Sequence, residues 1–136
     1  PLRPAFEGTD PAFIAALVRG THLLRGPMPP FPGTAQEADL LAAWLHTRSG
    51  RRPLSEVHAG PQLGRRAFEI RCGVCHPVGG PGDKSKSFAG LGEGEIGGLL
   101  DMAADLGEGM PAYTGDAKER AALIAYLQDL GRTVKP

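Results

Sequence analysis

Apolar residues return at helical spacing near the end of the chain, where Leu123, Tyr126, Leu127 and Leu130 fall on one stripe. Asp116 and Glu119 form an Asp-x-x-Glu start ahead of that stripe, so a helix is predicted from there to near Gly131. A second helix is predicted from Pro61, a residue suited to a first turn, to about Cys75. Between them Ile96, Leu99, Leu100 and Leu106 share helical spacing with Met102, which makes Met102 a packing residue. The fold class expected from this pattern is all-α.

The same pattern occurs earlier in the chain. With Met28 set on Met110, an offset of 82 residues, eight of the eighteen positions from 28 to 45 equal their counterparts at 110–127: Met28, Pro29, Gly33, Ala35, Glu37, Leu41, Ala43 and Leu45. Aromatic positions pair as well, Phe31 with Tyr113 and Trp44 with Tyr126, and the start Thr34-x-x-Glu37 falls on Asp116-x-x-Glu119. Upstream, Phe6, Gly8, Ile14 and Leu17 coincide with Phe88, Gly90, Ile96 and Leu99, so the chain contains an internal repeat.

Composition narrows the class. At 136 residues, 41% hydrophobic and 22% charged, the chain is enough for one ordinary domain or two very small ones and is not a disordered tail. With 20 glycines, 13 prolines and only 6% aromatics, much of it is loop, and something besides a wide aromatic core must hold it together. Fifteen basic and fifteen acidic residues cancel, which leaves no whole-protein field for nucleic acid or an anionic membrane surface. No run of about 18 apolar residues offers a membrane-spanning helix, and Pro1 opens the chain without a signal-peptide pattern, so a soluble chain is expected.

The only cysteines are Cys72 and Cys75, and His76 follows the second directly. A thioredoxin-like dithiol shares the C-x-x-C spacing but belongs near a strand-helix-strand pattern, whereas these flanks are helical and then Gly-rich. A four-ligand zinc site needs further cysteines or a paired histidine motif. Covalent haem attachment accounts for the whole string: two thiols add to the two vinyl groups of haem c, and the adjacent histidine lies beneath the iron as its proximal ligand. At i, i+3 and i+4 the three residues share one helical face. Residues 77–109 hold ten glycines, which suits a chain wrapped around a flat cofactor, since a long structureless loop in a compact domain is otherwise uncommon.

The sixth iron position separates electron transfer from catalysis. Met110, between Gly109 and Pro111, sits in a loop where permissive and rigid residues fix one side chain, and it is the expected axial ligand opposite His76.

Gly64-x-x-x-Phe68-x-x-x-Cys72-x-x-Cys75-His76, the Gly-rich stretch after it, Met110-Pro111, and the Leu123, Tyr126, Leu127 cluster together resemble a small class I c-type cytochrome over about residues 60–136. The resemblance implies a cytochrome c fold in which a helix bearing Gly64 and Phe68 crosses a C-terminal helix bearing Tyr126 and Leu127, the glycine permitting close approach. It also implies a backbone carbonyl that accepts the His76 ring N–H, although the 77–83 stretch departs from the longer loop of many members and leaves that carbonyl unassigned. The implied role is an electron carrier and not an enzyme, passing single electrons in a respiratory or photosynthetic chain. Its implied partners are redox proteins or a membrane oxidoreductase complex. Its implied location is the periplasm or the outer face of a bacterial cytoplasmic membrane. Joined to the repeat, the resemblance makes residues 1–48 the ligand-loop and C-terminal-helix part of an incomplete first unit, residues 49–59 a linker and residues 60–136 the complete domain of a tandem, dihaem cytochrome c. Met28 would then be axial to a second haem, whose attachment motif is expected just upstream of Pro1, so that Pro1 is not the biological start. The competing reading of residues 1–48 is a degenerate unit that lost its haem.

Other features have plainer readings. His22, His46 and His58 are read as surface histidines, His46 on the solvent side of its helix and His58 in the linker, and Trp44 as a core aromatic. Arg65, Arg66, Arg71, Lys84 and Lys86 stand against an acidic 93–108 segment, a separation able to steer a redox partner but more simply a solvated surface. Two other function classes stay open: a haem peroxidase or sulfur-oxidising subunit with one open iron position, and a thiol oxidoreductase.

Overall fold

Residues 6–24 and 28–134 are described by a computed structural model, and among them the chain is helical without strands, as the all-α expectation requires. Pro1, on which the upstream expectation turns, lies outside the described residues. Contacts divide the chain into two units, residues 1–53 with 102–114, and residues 54–101 with 115–136.

In the first unit, helix α1 (Pro11–Arg19) starts where Asp10 Oδ1 accepts the Phe13 N–H at 2.9 Å and Pro11, which has no N–H to satisfy, takes the first helical position. A one-turn helix, α2 (Thr21–Leu24), follows Gly20. Helix α3 (Ala35–Ser49) carries a complete capping box: the Glu37 N–H donates to Thr34 Oγ1 at 3.1 Å and the Thr34 N–H to Glu37 Oε2 at 2.6 Å. Ile14, Ala15 and Val18 of α1 share a core with Ala38, Ala42 and Leu45 of α3, with Phe6, Phe31 and Leu41 at its margin.

Two expectations fail in this unit. Trp44 is 53% exposed and not a core aromatic, because α3 turns Ala38, Ala42 and Leu45 inward and leaves position 44 outside, where the Arg48 guanidinium lies 5.7 Å from the ring centre. His46 is not a solvated surface histidine: its Nδ1 donates to the carbonyl of buried Thr9 at 2.8 Å.

The second unit opens with α4 (Leu54–Val57), which occupies part of the stretch read as a linker and buries Leu54 completely. Helix α5 (Gly60–Arg71) has Pro61 in its first turn, as expected, but stops at Arg71 and not near Cys75. The N–H groups of Cys72 and Gly73 both donate to the Phe68 carbonyl, at 2.8 and 2.7 Å, and this shared acceptor ends the regular ladder. Helix α6 (Glu93–Asp101) buries Ile96 but ends before Met102, which is 48% exposed and so does not pack as its spacing implied; the chain there passes into a 3-10 turn, Ala103–Asp105, and leaves the helical period.

Helix α7 (Ala117–Thr133) begins where Asp116 Oδ1 accepts the Glu119 N–H at 2.8 Å, while the Glu119 side chain turns inward instead of closing a capping box. Helices α5 and α7 cross where the resemblance placed the crossing. A Cβ on Gly64 would overlap the Ala122 carbonyl oxygen, and the rings of Phe68 and Tyr126 stand 5.4 Å apart at 42°. Leu63, Ala67, Phe68 and Ile70 of α5, Ile96 of α6, and Leu123, Ile124 and Leu127 of α7 are buried.

Helix boundaries follow the offset of the sequence repeat. Helices α1 and α6 both start and end 82 residues apart, and α3 starts 82 residues before α7.

Candidate functional site

Cys72, Cys75 and His76 occupy the turn that follows α5. The Cys72 carbonyl accepts the N–H groups of Cys75 at 3.1 Å and His76 at 2.8 Å, so the i, i+3, i+4 relation survives although the helix itself has ended. All three residues are half-buried.

The His76 ring is oriented by the backbone. Its Nδ1 lies 2.8 Å from the Gly82 carbonyl oxygen. A carbonyl can only accept, so Nδ1 carries the proton and Nε2 keeps its lone pair for a metal. Gly82 is thus the acceptor that the sequence left unassigned. Its φ of +81° favours glycine, and a Cβ there would come within 2.9 Å of the Cys75 carbonyl oxygen.

The next residue, Asp83, closes the loop that offers this carbonyl. Asp83 Oδ2 accepts the Gly79 N–H at 2.6 Å, and Oδ1 accepts the Ser85 N–H at 2.7 Å and the Ser85 hydroxyl at 2.5 Å. Those bonds, the Ser85 hydroxyl foremost, hold the Asp83 carboxyl down at about 2. Nothing in the spacing of the sequence marked Asp83 out; an Asp followed two residues on by Ser in a Gly-rich stretch is the available signal.

Burial pushes the Cys72 thiol up to about 12, with the neighbouring Arg71 pulling the other way. A dithiol oxidoreductase needs a thiolate near neutral pH, and this environment disfavours one.

Arg71 does not belong to a solvated basic surface. It forms a two-pronged ion pair with Glu119, Nε to Oε1 and Nη2 to Oε2, with the side chains only 3% and 2% exposed. Arg65 and Arg66 both reach Glu69, at 3.0 and 3.2 Å, so much of the basic stretch is paired locally. Spacing alone could not reveal the Arg71 pair, whose partners are 48 residues apart.

Apolar surface adjoins the motif. Val74 and Val78 are 36% and 52% exposed, and a groove of about 450 Å³ is lined by Phe68, Gly73, Pro77, Val78 and Tyr126 together with Arg65 and Glu69. Two thiols, an imidazole nitrogen with its lone pair preserved and apolar surface beside them make a donor set that fits haem c.

The remaining expected ligands lie in the first unit. Met110 is half-buried, donates its N–H to the Gly107 carbonyl at 3.2 Å and follows Gly109, whose φ is +74° and on which a Cβ would overlap Leu23. Met28 is 46% exposed. Contacts therefore gather Cys72, Cys75 and His76 in the second unit, and Met28 and Met110 in the first. His22 is exposed and His58 half-buried.

The family model described as cytochrome c oxidase, cbb3-type, subunit III matches residues 59–127, a span containing the cysteine motif and Met110. No curated protein and no solved structure matches the chain.

Proposed function

The chain belongs to the family of cytochrome c oxidase, cbb3-type, subunit III, and from that premise we propose that it is an electron-transfer module carrying haem c on Cys72 and Cys75, with His76 and Met110 as the axial ligands. One observation carries the reading: the Cys72–His76 turn holds both thiols and an imidazole whose Nδ1 is spent on the Gly82 carbonyl, which reserves Nε2 for iron.

Haem c bound there supplies a one-electron ferric/ferrous couple. The thiols of Cys72 and Cys75 would add across its two vinyl groups and tether it as thioethers. His76 would donate to the iron through Nε2, since the Gly82 bond fixes its tautomer and the plane of its ring. Met110, in the turn between Gly107 and Pro111, would offer its thioether sulfur as the second protein ligand. Were His76 and Met110 both to ligate the iron, the bound haem would supply one-electron transfer with no position left for a substrate.

Its partners in this reading are redox proteins or the membrane oxidase complex named by the family, and its place is the outer side of a bacterial cytoplasmic membrane, as for the c-type cytochromes it resembles. No helix among the described residues is long and apolar enough to cross a membrane.

The test is chemical. Haem should stay on the polypeptide through acid-denaturing organic extraction, give a pyridine spectrum typical of two thioether bonds, and be lost from the Cys72→Ala/Cys75→Ala double variant. Haem recovered in the organic phase from the unaltered chain would refute the attachment. A high-spin, ligand-binding iron in the unaltered chain would favour a peroxidase or sulfur-oxidising subunit instead.

A second reading is favoured by the helix offsets of 82 residues, α1 to α6 and α3 to α7. On this reading residues 1–48 are part of another unit of the same kind, with Met28 axial to a second haem. Two haems per polypeptide in the full gene product is the expected count, and one haem rejects it.

A further inference from the structure

Resting on the haem reading above, we propose that Asp83 is a positioning residue for the proximal ligand: its carboxylate holds the 77–85 loop so that the Gly82 carbonyl stays on His76 Nδ1, and so sets how strongly that ring donates to iron.

The peptide unit between Gly82 and Asp83 is pinned at both polar ends. Its carbonyl accepts from His76 Nδ1 at 2.8 Å, and its N–H donates to the Gly80 carbonyl at 3.1 Å. Rotating that plane breaks both bonds at once. The backbone alone resists such rotation poorly, because Gly79, Gly80 and Gly82 leave the loop wide conformational freedom and two of them already sit at positive φ.

The Asp83 side chain supplies the missing constraint. One carboxylate ties Gly79, before the carbonyl, to Ser85, after it, through three hydrogen bonds of 2.5–2.7 Å to an ionised acceptor. Ser85 is 5% exposed and opens the 3-10 turn Ser85–Phe88. That turn rests on α7, where a Cβ on Gly131 would lie 2.5 Å from the Phe88 carbonyl oxygen. The clasp therefore anchors a glycine loop to a rigid helix. Asp83 itself is exposed, so packing gives no reason for a carboxylate at this position.

A hydrogen bond donated by Nδ1 lends the imidazole anionic character, which favours ferric iron. Loosening the clasp weakens that bond and shifts the couple toward the reduced form.

Asp83→Ala and Asp83→Asn in the haem-loaded chain test the proposal. Covalent haem per chain is counted first by the pyridine spectrum; its absence from the unaltered protein overturns the haem reading together with this one, whereas full haem leaves the clasp alone under test. With haem attached in all three proteins, Asp83→Ala should move the reduced-to-oxidised ratio at fixed ambient potential about tenfold toward reduced, equivalent to about 59 mV for one electron. Asp83→Asn keeps an acceptor for Ser85 but sets a donor against the Gly79 N–H, and should move the ratio the same way by less. NMR should show the His76 Nδ1 proton exchanging with solvent faster in both variants. Should Asp83→Ala fail to fold, the same two readouts on Asp83→Asn decide the matter. An unchanged ratio with unchanged proton exchange overturns the proposal.

Discussion

Arg71 and Glu119 form a buried ion pair that joins the last residue of α5, immediately before the cysteine motif, to the first turn of α7. Both side chains are almost wholly out of solvent, so each charge depends on the other. The pair also explains why the Asp116 start of α7 lacks the second half of a capping box, since the Glu119 carboxylate is committed to Arg71.

Removing one partner should be far worse than removing both. Glu119→Ala takes the carboxylate away from a buried guanidinium and should cost about 3–5 kcal/mol in chemical denaturation. Arg71→Met combined with Glu119→Leu should recover most of that loss; a double variant no more stable than the single would show that the pair is not acting as one unit.

At the helix crossing, Gly64→Ala is the sharpest probe. In an open helix the change should stabilise by about 1 kcal/mol, but here the new methyl meets the Ala122 carbonyl oxygen, which belongs to a helix backbone and cannot swing aside. A net loss of about 1–3 kcal/mol is expected, read as a lowered melting temperature. An unchanged or raised melting temperature would mean that the crossing is looser than described.

Asp83 should give the fold a dependence on acid. Its carboxyl titrates at about 2, below the ordinary 3.8, because Ser85 and Gly79 hydrogen-bond the ionised form. With the folded value the lower one, the stabilisation is complete above the ordinary carboxylate range and is lost as pH falls from about 4 through about 2. Melting curves of the unaltered protein and Asp83→Asn should therefore differ near pH 5 and converge near pH 2. A constant difference across that window would argue against titration of this residue.

Met110→Ala should leave haem attached and open the sixth position. The expected signs are a change from low-spin to high-spin iron, binding of small ligands, and a potential lowered by a fraction of the ~0.8 V range that axial ligands span. An unaltered absorption spectrum would point to a different sixth ligand.

Much of the fold can be read along the chain. The Asp116 and Thr34 starts, Pro61 in a first turn and the Leu123, Tyr126, Leu127 stripe are local signals, because caps and helical periodicity involve residues only three or four apart. The same period misled at Met102, Trp44 and His46. Whether a helical position faces a core depends on which face meets another element, and α3 meets α1 through Ala38, Ala42 and Leu45, not through Trp44.

The sequence by itself determined the spacing on which the proposed haem attachment rests, two thiols and an imidazole at i, i+3 and i+4. It also determined the helix starts at Thr34, Pro61 and Asp116 and the repeat of 82 residues. Tertiary structure alone decided which carbonyl takes the His76 proton, that a lone carboxylate at Asp83 closes the loop presenting it, and that Arg71 is buried against Glu119. Each of these relations depends on loop closure or on helices that cross, so the groups involved meet only when the chain has folded back on itself, and no local periodicity records the meeting.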